Sequence, residues 1–135
     1  MKRFHINIKV ADLEKSISFY SALFHSAPTV QKTDYAKWML EDPRINFAIT
    51  LKPENTGIEH LGIQAESVDE LRELYQRVDQ AEGHLREEGD TVCCYAQSTK
   101  GWVKDPEGVD WEMFYTYGES DTFYQSTQEQ KICCS

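Results

Sequence analysis

The sequence predicts an α+β fold made of two tandem β-α-β-β-β modules within residues 1–117. Three observations predict it. An opening strand pattern, Phe4-His5-Ile6-Asn7-Ile8-Lys9-Val10, returns as Glu59-His60-Leu61-Gly62-Ile63-Gln64-Ala65. Each copy runs into a helical pattern of apolar residues. Each half then reaches its last strand through an Asp-Pro turn, Asp42-Pro43 in the first and Asp105-Pro106-Glu107-Gly108 in the second. Successive side chains of a strand point to opposite faces. Ile6, Ile8 and Val10 therefore share one face, and His5, Asn7 and Lys9 the other. Leu61, Ile63 and Ala65 stand against His60, Gly62 and Gln64 with the same parity. Both histidines turn away from the face that packs under a helix, and a pseudo-twofold axis between the halves would let them meet.

The elements follow in order. Asp12 is placed as an N-cap before a helix over Lys15 to Phe24. Leu13, Ile17, Tyr20 and Phe24 form its apolar stripe, and Ala27-Pro28 ends it. Three strands fit Thr29–Lys32, Tyr35–Glu41 and Asn46–Lys52. Pro53-Glu54-Asn55-Thr56-Gly57 is the turn-rich boundary between modules. The second helix spans Val68 to Ala81, buries Leu71, Leu74, Tyr75 and Val78, and closes at Gly83. Strands then fit Thr91–Gln97, Trp102–Lys104 and Val109–Tyr117. Gln97–Val103, with Lys100, Gly101 and Trp102, reads as a loop over the site or as a hairpin. From Gly118 to Ser135 the chain is polar and reads as a flexible C-terminal tail ending in Cys133-Cys134.

Composition narrows the function. The 135 residues suit one domain with a real core. Asp+Glu number 23 against Lys+Arg 14, a net charge of −9, and no basic run breaks this balance, so nucleic-acid binding is disfavoured. No apolar run approaches the ~20 residues of a membrane span, and Met1-Lys2-Arg3-Phe4 is too short and polar for a signal peptide. These features point to the cytoplasm. The four cysteines sit in two adjacent pairs, Cys93-Cys94 and Cys133-Cys134, a spacing that suits neither a routine disulfide nor a zinc knuckle.

A single histidine on a strand is ordinarily a hydrogen-bonded structural residue. The third candidate, Glu112, lies in Trp111-Glu112-Met113-Phe114, where Trp111, Met113 and Tyr115 take the apolar face and Glu112 the other. Burying an unpaired carboxylate is costly, so Glu112 needs a partner, either a Lys or Arg or a metal ion. Aligning the halves on their Asp-Pro turns, with one gap at Gly108, matches Phe47 to Trp111 and Ala48 to Glu112. Four symmetric positions thus hold three ligand-type residues, His5, His60 and Glu112, because Ala48 cannot bind metal. Two imidazoles and one carboxylate with open positions are the pattern of non-haem Fe(II) enzymes that activate O₂, although Mn, Zn or Ni would also be accepted.

Over about residues 4 to 117, on the paired modules, His5, His60, Glu112 and the Asp105-Pro106-Glu107-Gly108…Trp111-Glu112 stretch, the chain resembles the glyoxalase/bleomycin-resistance/extradiol-dioxygenase superfamily. The resemblance implies the vicinal oxygen chelate fold, a curved mixed sheet around a metal site. Glyoxalase I uses four protein ligands, so Ala48 argues against its isomerase chemistry; extradiol dioxygenases use three. Cys93-Cys94 narrows the match. Free cysteines are common core residues, but two neighbours on a strand face opposite ways, and two thiolates form a good chelate for trivalent arsenic or Cd(II). With Ser98-Thr99-Lys100-Gly101-Trp102-Val103 and the three ligands, the chain resembles the carbon–arsenic lyases and their cadmium-induced relatives. That implies an Fe(II)-dependent dioxygenase that cleaves the C–As bond of trivalent methyl or aryl arsenicals and releases arsenite. His5, His60 and Glu112 would hold iron and are its only catalytic residues. Cys93 and Cys94 would hold arsenic, and Lys100 and Trp102 would contact the site. The partners implied are the organoarsenical and O₂, with the protein a monomer or homodimer. Two other readings stand beside it. One is a cadmium- or arsenic-binding resistance protein without turnover. The other is an extradiol-type dioxygenase, which needs a basic residue beside the iron that neither His25 nor His84 supplies.

Overall fold

The computed structural model describes residues 1–93, 96–119 and 124–125, and the side chains of residues 1–90 and 98–117. The first module is β1 (Arg3–Val10), α1 (Leu13–Phe24), β2 (Val30–Lys32), β3 (Tyr35–Glu41) and β4 (Arg44–Leu51). The second is β5 (Gly57–Ala65), α2 (Val68–Gln80), β6 (Arg86–Cys93), β7 (Ala96–Lys104) and β8 (Asp110–Glu119), followed by β9 (Tyr124–Gln125). All nine strands among the described residues join one curved mixed sheet in the order β2-β3-β4-β1-β5-β8-β7-β6-β9. The expected fold class and paired modules are thus borne out.

The symmetry lies in the register. β1 and β5 pair antiparallel at the centre, with His5 opposite Gly62 and Asn7 opposite His60. Exchanging the halves maps the first pair onto the second. β1 pairs parallel to β4, and β5 parallel to β8. Ile6↔Phe47 is answered by Leu61↔Trp111, and Asn7↔Ala48 by Gly62↔Glu112. The pairing therefore places Ala48 at the twofold equivalent of Glu112, as the Asp-Pro alignment requires.

Each helix covers one half of one face. The Asp12 carboxylate accepts from Lys15 N at 3.0 Å and starts α1. Leu13, Ile17, Tyr20 and Phe24 then pack on Val10, Ala36, Trp38, Phe47 and Ile49. The Ser67 hydroxyl accepts from Glu70 N at 3.1 Å and starts α2, whose Leu71, Leu74 and Val78 pack on Ala65 and Met113. No helix among the described residues is long and apolar enough to cross a membrane.

Several element ends differ from expectation. α1 stops before Ala27-Pro28, because His25 takes a left-handed conformation (φ 53°) and its N–H returns to Ala22 and Ser21 carbonyls. After α2 the left-handed residue is Glu82 (φ 60°), not Gly83. Gly83 is needed for close packing instead: a Cβ there would lie 2.8 Å from Val103 Cγ2. The largest difference is in the second half. The expected strand Thr91–Gln97 is the meeting of β6 and β7, which pair antiparallel up to Cys93↔Ala96. Gln97–Val103 is not a loop but lies within β7. Charged residues hide β6, and inward polar residues hide β7; backbone pairing needs neither to be apolar. β8 continues through Glu119, and β9 pairs with β6 at Val92↔Gln125 and Cys93↔Tyr124. Gly118, Glu119, Tyr124 and Gln125 thus belong to the sheet, beyond residue 117, where the tail was expected to begin. The Cys93 side chain and all of Cys94, Cys133 and Cys134 lie outside the described residues.

Leu74 is 2% exposed and Leu23 62%. Leu74→Ala should cost about 2–5 kcal/mol of unfolding free energy. Leu23→Ala should stay within about 0.5 kcal/mol of wild type. Urea unfolding followed by circular dichroism measures both.

Candidate metal centre

The face opposite the helices carries His5 from β1, His60 from β5 and Glu112 from β8, all buried. His5 Nε2 lies 3.1 Å from His60 Nε2 and 3.5 Å from Glu112 Oε1, and His60 Nε2 lies 3.4 Å from that same oxygen. The three atoms form a small triangle. Donors about 2.1 Å from an ion and about 90–110° apart sit about 3.0–3.4 Å from one another, so the triangle fits a single ion bound on one face. The three residues are a group able to hold a metal ion among the described residues.

Each donor is oriented by a second contact. His5 Nδ1 lies 3.0 Å from the Asn46 carbonyl oxygen. A carbonyl only accepts, so Nδ1 carries the proton and Nε2 turns its lone pair to the triangle. Burial, then the neighbouring His60, lowers the His5 pKa to about 4, which keeps the ring neutral at physiological pH. Phe114 stands edge-on to His5 and Trp102 edge-on to His60, each with ring centroids 5.0 Å apart. Trp102 Nε1 is a buried donor without a hydrogen-bond partner among the described residues.

Glu112 divides its two oxygens. Oε1 faces the imidazoles, and Oε2 lies 2.7 Å from Lys100 Nζ. Burial would raise this carboxyl, but the Lys100 ammonium, and after it His60 and His5, outweigh burial and hold it well below the usual carboxylate range. Both candidate partners of Glu112, a lysine and a metal-type histidine pair, are therefore present together. Lys100 and Trp102, expected in a loop, reach the site as alternate inward residues of β7.

Gly62 makes the approach possible. It lies between His5 and Glu112 in the pairing. A Cβ on it would fall 2.5 Å from the Glu112 carbonyl oxygen and 3.2 Å from His5 Cδ2. His25 caps α1 and His84 precedes β6, so neither is on a central strand.

This geometry can be set beside known proteins. Residues 2–113 match the Glyoxalase/Bleomycin resistance protein/Dioxygenase superfamily. The chain belongs to that superfamily. It is 40% identical over 136 residues, 99% of the chain and 91% of the relative, to a probable trivalent organoarsenical cleaving enzyme of Bacillus subtilis. It is 32% identical over 142 residues, 99% of the chain and 93% of the relative, to the cadmium-induced protein CadI of Mycobacterium bovis. Among solved structures, homoprotocatechuate 2,3-dioxygenase from Arthrobacter globiformis shares the fold at a TM-score of 0.60 and 15% identity, over 90% of this chain and 36% of that one. The superfamily resemblance read from the sequence is borne out.

Sequence reasoning missed Asn46, Phe114 and the role of Gly62. The signal for Gly62 was present, since it shares the His60 face, but a glycine announces space and not the neighbour that needs it. Gly62→Ala should weaken metal binding at least about tenfold, a loss typical of groups that orient ligands. Isothermal titration with Mn(II) measures this, and an unchanged affinity would show that the strands relax around the added methyl.

Proposed function

We propose that the protein is a metal-dependent, O₂-using enzyme that cleaves the C–As bond of trivalent organoarsenicals, with Fe(II) held by His5, His60 and Glu112. The observation that carries this reading is the buried three-donor triangle in a chain similar, along nearly its whole length, to proteins named for cleaving trivalent organoarsenicals. When bound, Fe(II) supplies the redox chemistry with O₂. For a methylarsenical the reaction balances as methylarsonous acid plus one O₂ giving arsenous acid plus formaldehyde. The C–As bond breaks and one As–O bond forms. Carbon loses four electrons, O₂ gains four, and arsenic stays trivalent.

The chain's own residues prepare this. His5 presents a neutral nitrogen, and His60 turns its Nε2 to the same point. Lys100 keeps the Glu112 carboxylate ionised and leaves one oxygen for the metal. Cys93 and Cys94 hold the arsenic by As–S bonds, so that binding energy orients the carbon. The register sets a demand on that step. β7 runs from Trp102, opposite Glu112, to Ala96, opposite Cys93. Six residues of flat strand cover about 20 Å, so the sheet's curvature must shorten the path from thiol to metal.

A second reading is sequestration of cadmium or arsenic without turnover, and the likeness to CadI, a protein named as cadmium-induced, keeps it in view. It uses the cysteines and leaves the buried triangle without a task. An extradiol reading needs a base. Lys100 is the basic residue beside the triangle, but its Nζ is engaged by Glu112.

A Cys93→Ser, Cys94→Ser double variant should retain metal affinity and lose both arsenical affinity and arsenite release, since hydroxyls are poor ligands for a soft centre. Glu112→Ala should do the reverse, keeping arsenical binding and losing metal and turnover. Undiminished cleavage by the cysteine variant would remove the substrate assignment.

A further inference from the structure

The two halves of the site differ at register-matched places. Glu112 answers Ala48, and Gly62 answers Asn7. Likewise Phe114↔Lys100 answers Thr50↔Tyr35, so Lys100 answers Tyr35. In the second half a carboxylate leans across a glycine to reach the histidines. In the first half the corresponding corner has a methyl group, and a carboxamide stands where the glycine would be.

Asn7 is 1% exposed. It is opposite His60 on one neighbouring strand and opposite Ala48 on the other. Directly opposed residues have Cβ atoms about 4.5–5.5 Å apart. A side chain at this place is therefore in reach of whatever lies between His60 and Ala48. Thr50, two residues beyond Ala48 on β4, donates its hydroxyl to Asn7 Oδ1 at 3.3 Å. That engages the carbonyl end of the amide. This leaves Nδ2, with its two N–H donors, as the end of the amide not engaged by Thr50. Tyr35, buried and opposite Thr50, extends the same wall. Burial, then the charge of Glu112, raises its hydroxyl well above the usual range, so it stays protonated.

We propose that Asn7 binds the oxygen-bearing ligand that enters on the Ala48 side of the donor triangle, its Nδ2 donating to an oxygen of that ligand. The ligand class is a small neutral molecule with an acceptor oxygen, either dioxygen or the hydroxyl of a trivalent arsenical. Thr50 is the positioning residue that selects which end of the amide faces the ligand. The inference rests on the metal reading above.

The test compares wild type with Asn7→Ala in the Fe(II)-loaded protein. Nitric oxide, bound without O₂, is the probe for dioxygen. The arsenical is probed by its KM at saturating O₂. Fe(II) affinity should stay within about twofold, because Asn7 is not one of the three donors, while one of the two probes weakens about tenfold for the lost hydrogen bond. A fall in nitric oxide affinity alone identifies dioxygen; a rise in arsenical KM alone identifies the hydroxyl. No change in either, or a loss of Fe(II) affinity along with them, overturns the proposal. Asn7→Asp is close in shape and places a carboxylate at the donor-less corner. It should hold Fe(II) at least as tightly and lose nitric oxide binding, and nitric oxide binding equal to wild type would also overturn the proposal. The nitric oxide arm requires no arsenical turnover, so it reads out even in a protein that cleaves no arsenical.

Discussion

The site depends on the antiparallel register of β1 on β5, in which His5 faces Gly62 and Asn7 faces His60. The two histidines are diagonal neighbours across this pair, and their Nε2 atoms meet at 3.1 Å. A slip of one residue would turn every side chain of one strand to the other face. For β1 it would bring His5 out of the site and Ile6 and Ile8 into it. The register is held from both sides. On the helix face, Ile6 and Ile8 belong to the packing around α1, and Ile63 to that around α2. On the site face, Gly62 admits Glu112 and His5 at distances that no larger residue allows. The hydrophobic cores therefore do more than stabilise the fold. They determine which three donor atoms converge.

The second requirement is electrostatic. A buried carboxylate beside two imidazoles is costly without a cation, and Lys100 supplies one at 2.7 Å. The pair leaves one carboxylate oxygen directed at the histidines. This makes the duplicated fold unequal. One half carries the charges, Lys100 and Glu112. The other carries Ala48, Tyr35 and Asn7 at the matched places. Repetition supplies two histidines, and divergence between the copies leaves Ala48 at the place that matches Glu112.

Much of this was legible because strand parity is a strict rule. The repeat of His5-Ile6-Asn7-Ile8 in His60-Leu61-Gly62-Ile63 announced two equivalent strands, and the Asp-Pro turns announced that the place of Ala48 matches Glu112.

 What parity could not reveal was β6 and β7. Arg86-Glu87-Glu88-Gly89-Asp90 has no apolar alternation, because this outer hairpin is held by backbone pairing and lies toward the sheet edge. In β7 the inward residues Ser98, Lys100 and Trp102 are polar or amphipathic, the last two because they serve the site, so a strand looked like a loop. The Lys100–Glu112 pair was hidden for the same reason. It joins two strands whose pairing no local pattern announces.

In the proposed function, the triangle of His5, His60 and Glu112 holds a redox metal that turns O₂ on a captured arsenical. The most direct measurement is an anaerobic Fe(II) titration of the purified protein with a trivalent methylarsenical bound, followed by admission of air and quantification of arsenite and formaldehyde. About one Fe(II) per chain should bind, as one facial triad requires, and the two products should form in equal yield only when both Fe(II) and O₂ are present. Arsenical recovered unchanged from Fe(II)-loaded protein in air would contradict this function.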